Sequence, residues 1–167
     1  MFKAYCPILY CRCLLVKTSF WLLDISPKIT DESTEVWLWG IDPAGKRVLV
    51  IDRTFIGYFY CVTAEGFEPS KLAEQITKNF ADSVVKAEVA QRKFFGQPVA
   101  AIKVYCGNPS GIGEVAKRLR GFEGVKECFE DDIRVSMRYL IDNNVVPCTW
   151  HEAEVEEDAN ILGVRAD

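Results

Sequence analysis

The residues best suited to chemistry in this chain are aromatic. In Gly57-Tyr58-Phe59-Tyr60-Cys61-Val62 the pattern reads as a strand. Its period of two sets Tyr58 and Tyr60 on one face and Phe59 on the other. Tyr105, in the strand pattern Pro98 to Cys106, is a third ring of the same kind. Phenol rings on a sheet face are what unstacked bases lie against, and covered rings are ordinary packing. Metal chemistry has less to work with. There are seven cysteines (Cys6, Cys11, Cys13, Cys61, Cys106, Cys128 and Cys148) and one histidine, His151. A zinc site needs about four ligands at recognisable spacings. Here Cys11 and Cys13 form the only close pair, so no metal and no cofactor is expected. Cysteines in apolar runs read as small hydrophobes, with disulfides an option in the protein of a hyperthermophile. With no histidine pair and no clustered carboxylate triad, the pattern argues against a nuclease or a base-removing enzyme.

These rings must be carried by definite elements. Phe20 to Ser26 reads as a buried strand ending at Pro27. Val36 to Ile41 and Arg47 to Asp52 are strands joined by Asp42-Pro43-Ala44-Gly45-Lys46, a turn sequence, and this hairpin is expected to join the first strand in an antiparallel sheet. Then follow the strand Gly57 to Val62, a helix from Glu68 to Phe80, and an extended stretch from Ser83 to Phe95. A turn at Gly96-Gln97 leads into the strand Pro98 to Cys106. A helix from Asn108 to Gly121 and a strand from Val125 to Glu130 complete the series. The order β-α-β-β-α-β over residues 57–130 is the ferredoxin-like arrangement, which puts the first and third strands at the centre of the sheet. A short helix capped by Asp132, with Val135, Tyr139 and Leu140 inward, precedes a last extended piece from Cys148 to Val155. The fold class is therefore α+β: an antiparallel N-terminal sheet plus a ferredoxin-like unit.

Composition sets the bounds. The chain has 167 residues, 49% hydrophobic and 26% charged, which suits a globular domain and excludes a disordered tail, a collagen-like chain or a coiled coil. No stretch of about 18 residues lacks charge, so no membrane span is expected. The net charge of −4 is unevenly spread. Six acids against Arg165 alone make residues 151–167 net −5, which leaves residues 1–150 at +1. An overall acidic chain thus does not exclude nucleic acid as a partner of the main body. Residues 1–19 carry neither a signal-peptide core nor a cleavage site and are read as an extra strand or an arm.

Several segments taken together, FWLLDIS, VWLWGIDPAGKRVLVIDRTFIGYFY, KFFGQPVAAIKVY, CFEDDIRVSMRYLIDNNVVPCTW and HEAEVEE, resemble the N-terminal domain of archaeal family B DNA polymerases. The resemblance covers roughly residues 20–157, leaving 1–19 as an extension and 158–167 as a tail. Its most specific part is D-I-x-x-x-x-R-Y-L-I-D at Asp132, Ile133, Arg138, Tyr139, Leu140, Ile141 and Asp142. F-x-G-x-P at Phe94, Gly96 and Pro98, before a strand ending at Lys103 and Tyr105, is the second. In the family this domain precedes a 3′–5′ exonuclease opening on a D-I-E motif, and neither that motif nor the Asp-rich metal motifs of the palm occurs here. The resemblance implies a chain that polymerises nothing alone. Its expected partners are single-stranded template DNA and the exonuclease and palm portion of a polymerase, in the same or a separate chain, in an archaeal cytoplasm.

It also implies a pocket that captures template uracil. A flipped base entering a tight slot is read on its Watson–Crick edge, and thymine is excluded by a wall against its methyl group. Carried over, Tyr58, Pro98, Ile133 and Arg138 match the pocket. Five positions depart: Pro27 stands for a tyrosine, Ile56 for the arginine and Gly57 for the proline of F-R-P-Y, Ala101 for a valine and Val135 for a phenylalanine. The expectation is a looser slot that discriminates the thymine methyl less well, with Arg53, Lys103 and Arg134 as further contacts to the strand. The alternative is a non-catalytic structural or assembly subunit of a split polymerase with a degenerate pocket. A ferredoxin-like domain binding a small metabolite is not needed to explain the motifs.

Overall fold

The computed structural model describes residues 15–30 and 34–156. Cys6, Cys11 and Cys13 and the acidic end beyond Glu156 lie outside the described residues. The chain divides into two compact units. The first comprises residues up to Lys28, Thr34–Phe55 and Val135 onward; the second comprises Ile29–Ser33 and Ile56–Arg134.

In the first unit, β1 (Leu15–Ile29), β2 (Thr34–Ile41), β3 (Arg47–Asp52) and β8 (Trp150–Glu156) form a sheet of order β3-β2-β1-β8. The β2–β3 hairpin has the expected register, Val36 opposite Asp52 and Ile41 opposite Arg47. Its turn is held by Asp42 Oδ1, which accepts the Ala44 and Lys46 amides at 2.9 and 2.7 Å. Two expectations are corrected. The strand does not end at Pro27 but runs through it to Ile29. Proline has no N–H to give, and the ladder to β8 ends at Trp21, so that side of the strand asks nothing of Pro27. The last extended piece, expected over Cys148 to Val155, is the strand Trp150–Glu156, which pairs along β1 from Leu15 to Trp21. Phe20, Leu22, Val36, Leu38, Val48 and Val50 make the core with α3 (Val135–Asp142).

That helix starts at Val135, so Asp132 is not its cap residue. Its buried residues are Arg138 and Tyr139, with Leu140 half-buried. The Tyr139 hydroxyl donates to Asp52 Oδ2 at 2.9 Å. Burial, then the adjacent carboxylate, pushes its phenol well above the usual range.

The second unit is the β-α-β-β-α-β module. β4 (Gly57–Thr63), β5 (Val84–Phe94), β6 (Gln97–Cys106) and β7 (Val125–Phe129) pair antiparallel in the order β5-β6-β4-β7, with the first and third strands central as the pattern predicts. α1 (Pro69–Asn79) buries Leu72, Ala73 and Ile76, and α2 (Ile112–Arg120) buries Val115, Ala116 and Leu119. Both stripes meet Phe59, Cys61, Ile102 and Val104 in one core. Asn108 is a cap, as expected, but of a 3-10 turn at Pro109–Gly111, its side chain accepting the Ser110 amide at 2.9 Å. The α-helix proper follows. The β5–β6 turn sits on Phe95-Gly96 rather than Gly96-Gln97.

Of the described cysteines, Cys61, Cys106 and Cys128 are buried free thiols and Cys148 is exposed. Cys61 and Cys128 face each other across β4 and β7 with Sγ atoms 3.2 Å apart. No helix among the described residues is long and apolar enough to cross a membrane. None of their side chains form a metal-holding group of three or more.

Candidate nucleic-acid interface

Alternation along β4 sorts its residues as the spacing predicts. Phe59 and Cys61 enter the helix-covered core, while Tyr58 and Tyr60 go to the other face with Ala101 of β6 and, half-buried, Tyr105. The tyrosines form one group, with ring centroids 5.6 Å apart for Tyr58–Tyr60 and 5.7 Å for Tyr58–Tyr105. They are not open stacking surfaces, however. Tyr58 and Tyr60 are each only 7% exposed. The Lys103 ammonium lies 3.6 Å from the Tyr58 centroid, and the Arg92 guanidinium lies 4.8 Å from that of Tyr60. Arg92 is exposed and Lys103 half-buried, so each cation over its ring is worth about 0.5–1 kcal/mol and favours the covered state modestly. Arg92 Nη2 also donates to the Tyr60 hydroxyl at 2.6 Å. Tyr105 donates to Glu88 at 2.6 Å, and this bond, with Lys86 beside it, holds the Glu88 carboxyl below its ordinary range. Lys103, expected as a strand contact, is therefore engaged with Tyr58 and Tyr105.

Beside Tyr60 the same face opens into a cavity of about 260 Å³. Tyr60, Phe94 and Phe129 are its aromatic walls; Val62, Val99, Ala101 and Ile133 are aliphatic; Arg92, Lys93, Glu130 and Asp132 are its charged groups. A water's share of liquid is about 30 Å³, so the space admits something much larger than a few waters. Ala101 stands opposite Val62 on one side and Ala90 on the other, and its small side chain leaves the floor low.

Of the pocket residues carried over from the family, Ala101 and Ile133 line this cavity, together with Tyr60 and the motif residues Phe94 and Asp132. Pro98 is exposed at the start of β6, opposite Lys93. Tyr58 belongs to the tyrosine group. Gly57 is packed tightly on the helix side: a Cβ there would come within 2.9 Å of Pro109 and 3.0 Å of Ile112. Arg134 is exposed. In the first unit, Pro27 is exposed, Val135 half-buried and Arg138 buried at 6% exposure. Arg53 is already bonded, its Nε donating to Glu35 at 2.8 Å. The cavity residues that sequence reasoning missed are chiefly Arg92, Lys93 and Phe129; Phe94 belongs to the F-x-G-x-P motif, which does not mark it as part of a pocket. Alternation from Tyr60 to Val62 and from Val99 to Ala101 carries the signal for the face; no local pattern says that the ends of β5 and β7 close around it.

No family model matches the chain. DNA polymerase 3 of Saccharolobus shibatae is 36% identical to it over 147 residues, 88% of this chain and 19% of that protein. DNA polymerase 2 of Aeropyrum pernix is 33% identical over 151 residues, 89% of this chain and 19% of that protein. The structure of the family B DNA polymerase from the hyperthermophilic archaeon Pyrobaculum calidifontis matches with a TM-score of 0.77 and 32% identity, over 87% of this chain and 19% of that one. The chain thus spans about 19% of the length of these relatives.

Proposed function

Because the chain is homologous to archaeal family B DNA polymerases and corresponds to a single, N-terminal domain of them, we propose that it is the template-strand-binding part of such a polymerase. The cavity beside Tyr60 receives an unpaired base of single-stranded DNA. The observation that carries this reading is the cavity itself: three aromatic walls, a small apolar floor at Ala101 and two cations, Arg92 and Lys93, on one strand end. Planar aromatic walls suit a nucleobase, and the cations suit the phosphates on either side of it. Among bases, uracil is the one a slot of this kind retains. That preference requires backbone N–H groups facing O2 and O4, which oppose the exocyclic amine of cytosine, and a wall against a 5-methyl group, for which Ile133 is the candidate. Pro27, Val135 and Arg138 enter this proposal on the family resemblance alone.

The test is fluorescence anisotropy of the chain with matched single-stranded oligonucleotides that carry one uracil, thymine or cytosine. Tighter binding of the uracil strand is expected. A single methyl group is worth roughly 1–3 kcal/mol, about 10- to 200-fold, in a close-fitting pocket, and the small side chain of Ala101 puts the expected preference over thymine at the low end of that range. Equal binding of all three removes uracil selection and leaves a general strand-binding module. A second reading, a structural part of a polymerase with no base reading, is supported by the internal engagement of Arg53 with Glu35 and of Lys103 with the tyrosines. Absence of binding at low salt decides for it.

A further inference from the structure

The β5–β6 hairpin turns through Phe95 and Gly96, at φ +46° and +81°, between the paired residues Phe94 and Gln97. Positive φ at both central positions is the mark of a type I′ turn, whose preferred pair is Asn-Gly. Gly96 meets that demand. Phe95 does not, because a bulky side chain in the left-handed region is disfavoured. Nothing around it repays the strain in folding terms: Phe95 is 91% exposed, more than any other large hydrophobic residue among those described. A residue that is both conformationally strained and unburied points to a use outside the fold.

Its neighbours say which use. The Phe95 ring stands edge-on to Phe94, with centroids 4.6 Å apart, and Phe94 is 5.1 Å from Phe129. Phe94 and Phe129 are walls of the base-sized cavity, so a run of three rings leads from the cavity to the tip. Residues 91–98 contain Arg92 and Lys93 and no acid, so the tip is cationic. Glu130 and Asp132 also line the cavity, which confines favourable phosphate contacts to the hairpin side. One planar ring flanked by two cations is poor material for an apolar protein interface and good material for a polyanion with stacking faces.

We propose that Phe95 is a stacking platform for the nucleotide next to the one held in the cavity, with Arg92 and Lys93 taking the intervening phosphate. This rests on the reading of the cavity as a single-strand site. Every base has a π-face, so the platform is sequence-tolerant and complements the selective slot.

The test uses the full chain, a fluorescein-labelled 12-nucleotide oligo-dT, and the variants Phe95→Asn and Phe95→Trp. Phe95→Asn installs the preferred turn pair. It is expected to melt at the same temperature as the wild type or higher, while binding the oligonucleotide about 5- to 100-fold more weakly, the range of losing one stacked base. Phe95→Trp is expected to keep the affinity, and its added indole fluorescence to be quenched on binding. Unchanged affinity in Phe95→Asn, or an unquenched Trp in a bound complex, overturns the platform and leaves the cavity reading standing. A clearly lowered melting temperature in Phe95→Asn also overturns it, because the ring would then be serving the fold. No binding by the wild type overturns both readings.

Discussion

At the scale of single residues, the interface is governed by small differences in side-chain size. Ala101 is 2% exposed and forms part of the cavity floor between Val62 and Ala90. Valine at this position fills space that a 5-methyl group would otherwise enter. The Ala101→Val variant is therefore expected to weaken thymine binding more than uracil binding, widening their ratio by up to about 10-fold. Competitive anisotropy with the two strands reads this directly, and an unchanged ratio places Ala101 outside the discriminating wall. Ala101 and Ile133 stood out in the sequence through the family resemblance, Phe94 through its place in F-x-G-x-P, and all three line the cavity. Arg92, Lys93 and Phe129 did not stand out, since their proximity depends on how two strand ends converge. Gly57 illustrates the same limit: its close packing against Pro109 and Ile112 is visible only in the fold.

At the scale of elements, outward-facing polar groups join strands that alternation alone leaves independent. On β2, Val36 and Leu38 point inward and Glu35 and Trp37 outward. Glu35 accepts from Trp37 Nε1 and from Arg53 Nε, both at 2.8 Å, so residues flanking β3 are tied to the outer face of β2. Burial raises the Glu35 carboxyl, but these two donors outweigh it and hold it below the ordinary value of 4.5. A depressed carboxyl stabilises the fold above its unfolded-state value, and that stability is lost as pH falls through the folded value. The melting-temperature gap between wild type and Glu35→Gln is thus expected to be widest near neutrality, roughly 2–4 °C, and to close as the pH drops below 4.5. A gap independent of pH places the cost of the variant elsewhere than in the ionised carboxylate. In the second unit Arg120 plays a comparable part, reaching Glu127, the Cys128 carbonyl and Asp131 and so pinning the end of α2 to β7. Both arrangements join separate elements, Arg53 to Glu35 across 18 residues and Arg120 to Asp131 across 11, and no periodicity announces them.

At the scale of the whole molecule, charge is segregated, and this shapes the expected behaviour with nucleic acid. The chain is acidic overall, yet the excess resides in residues 151–167, while residues 1–150 carry +1. Few of the cations are available to a strand: Arg53 is bonded to Glu35, Lys103 is engaged with the tyrosines, and Arg92, though exposed, already bonds the Tyr60 hydroxyl and would have to share its charge with a phosphate. Binding through Arg92, Lys93 and Arg134 neutralises two or three phosphates. The plot of log affinity against log salt is then expected to have a slope of about −1.5 to −2 for single strands. A slope several-fold steeper identifies a wider electrostatic footprint than the hairpin side provides. The order of elements, the antiparallel hairpin, the β-α-β-β-α-β module and the face to which Tyr58 and Tyr60 belong were all determined by the sequence alone, because periods of two and of 3.6 are local properties of the chain. Family membership was legible for the same reason, through motifs contiguous in sequence. Only the tertiary structure decided that cations cover the tyrosine rings, that β8 completes the first sheet, that Phe95 occupies a strained and exposed turn, and where the cavity lies. Each of these depends on contacts between segments far apart along the chain, whose energies are set by geometry in space rather than by order in sequence.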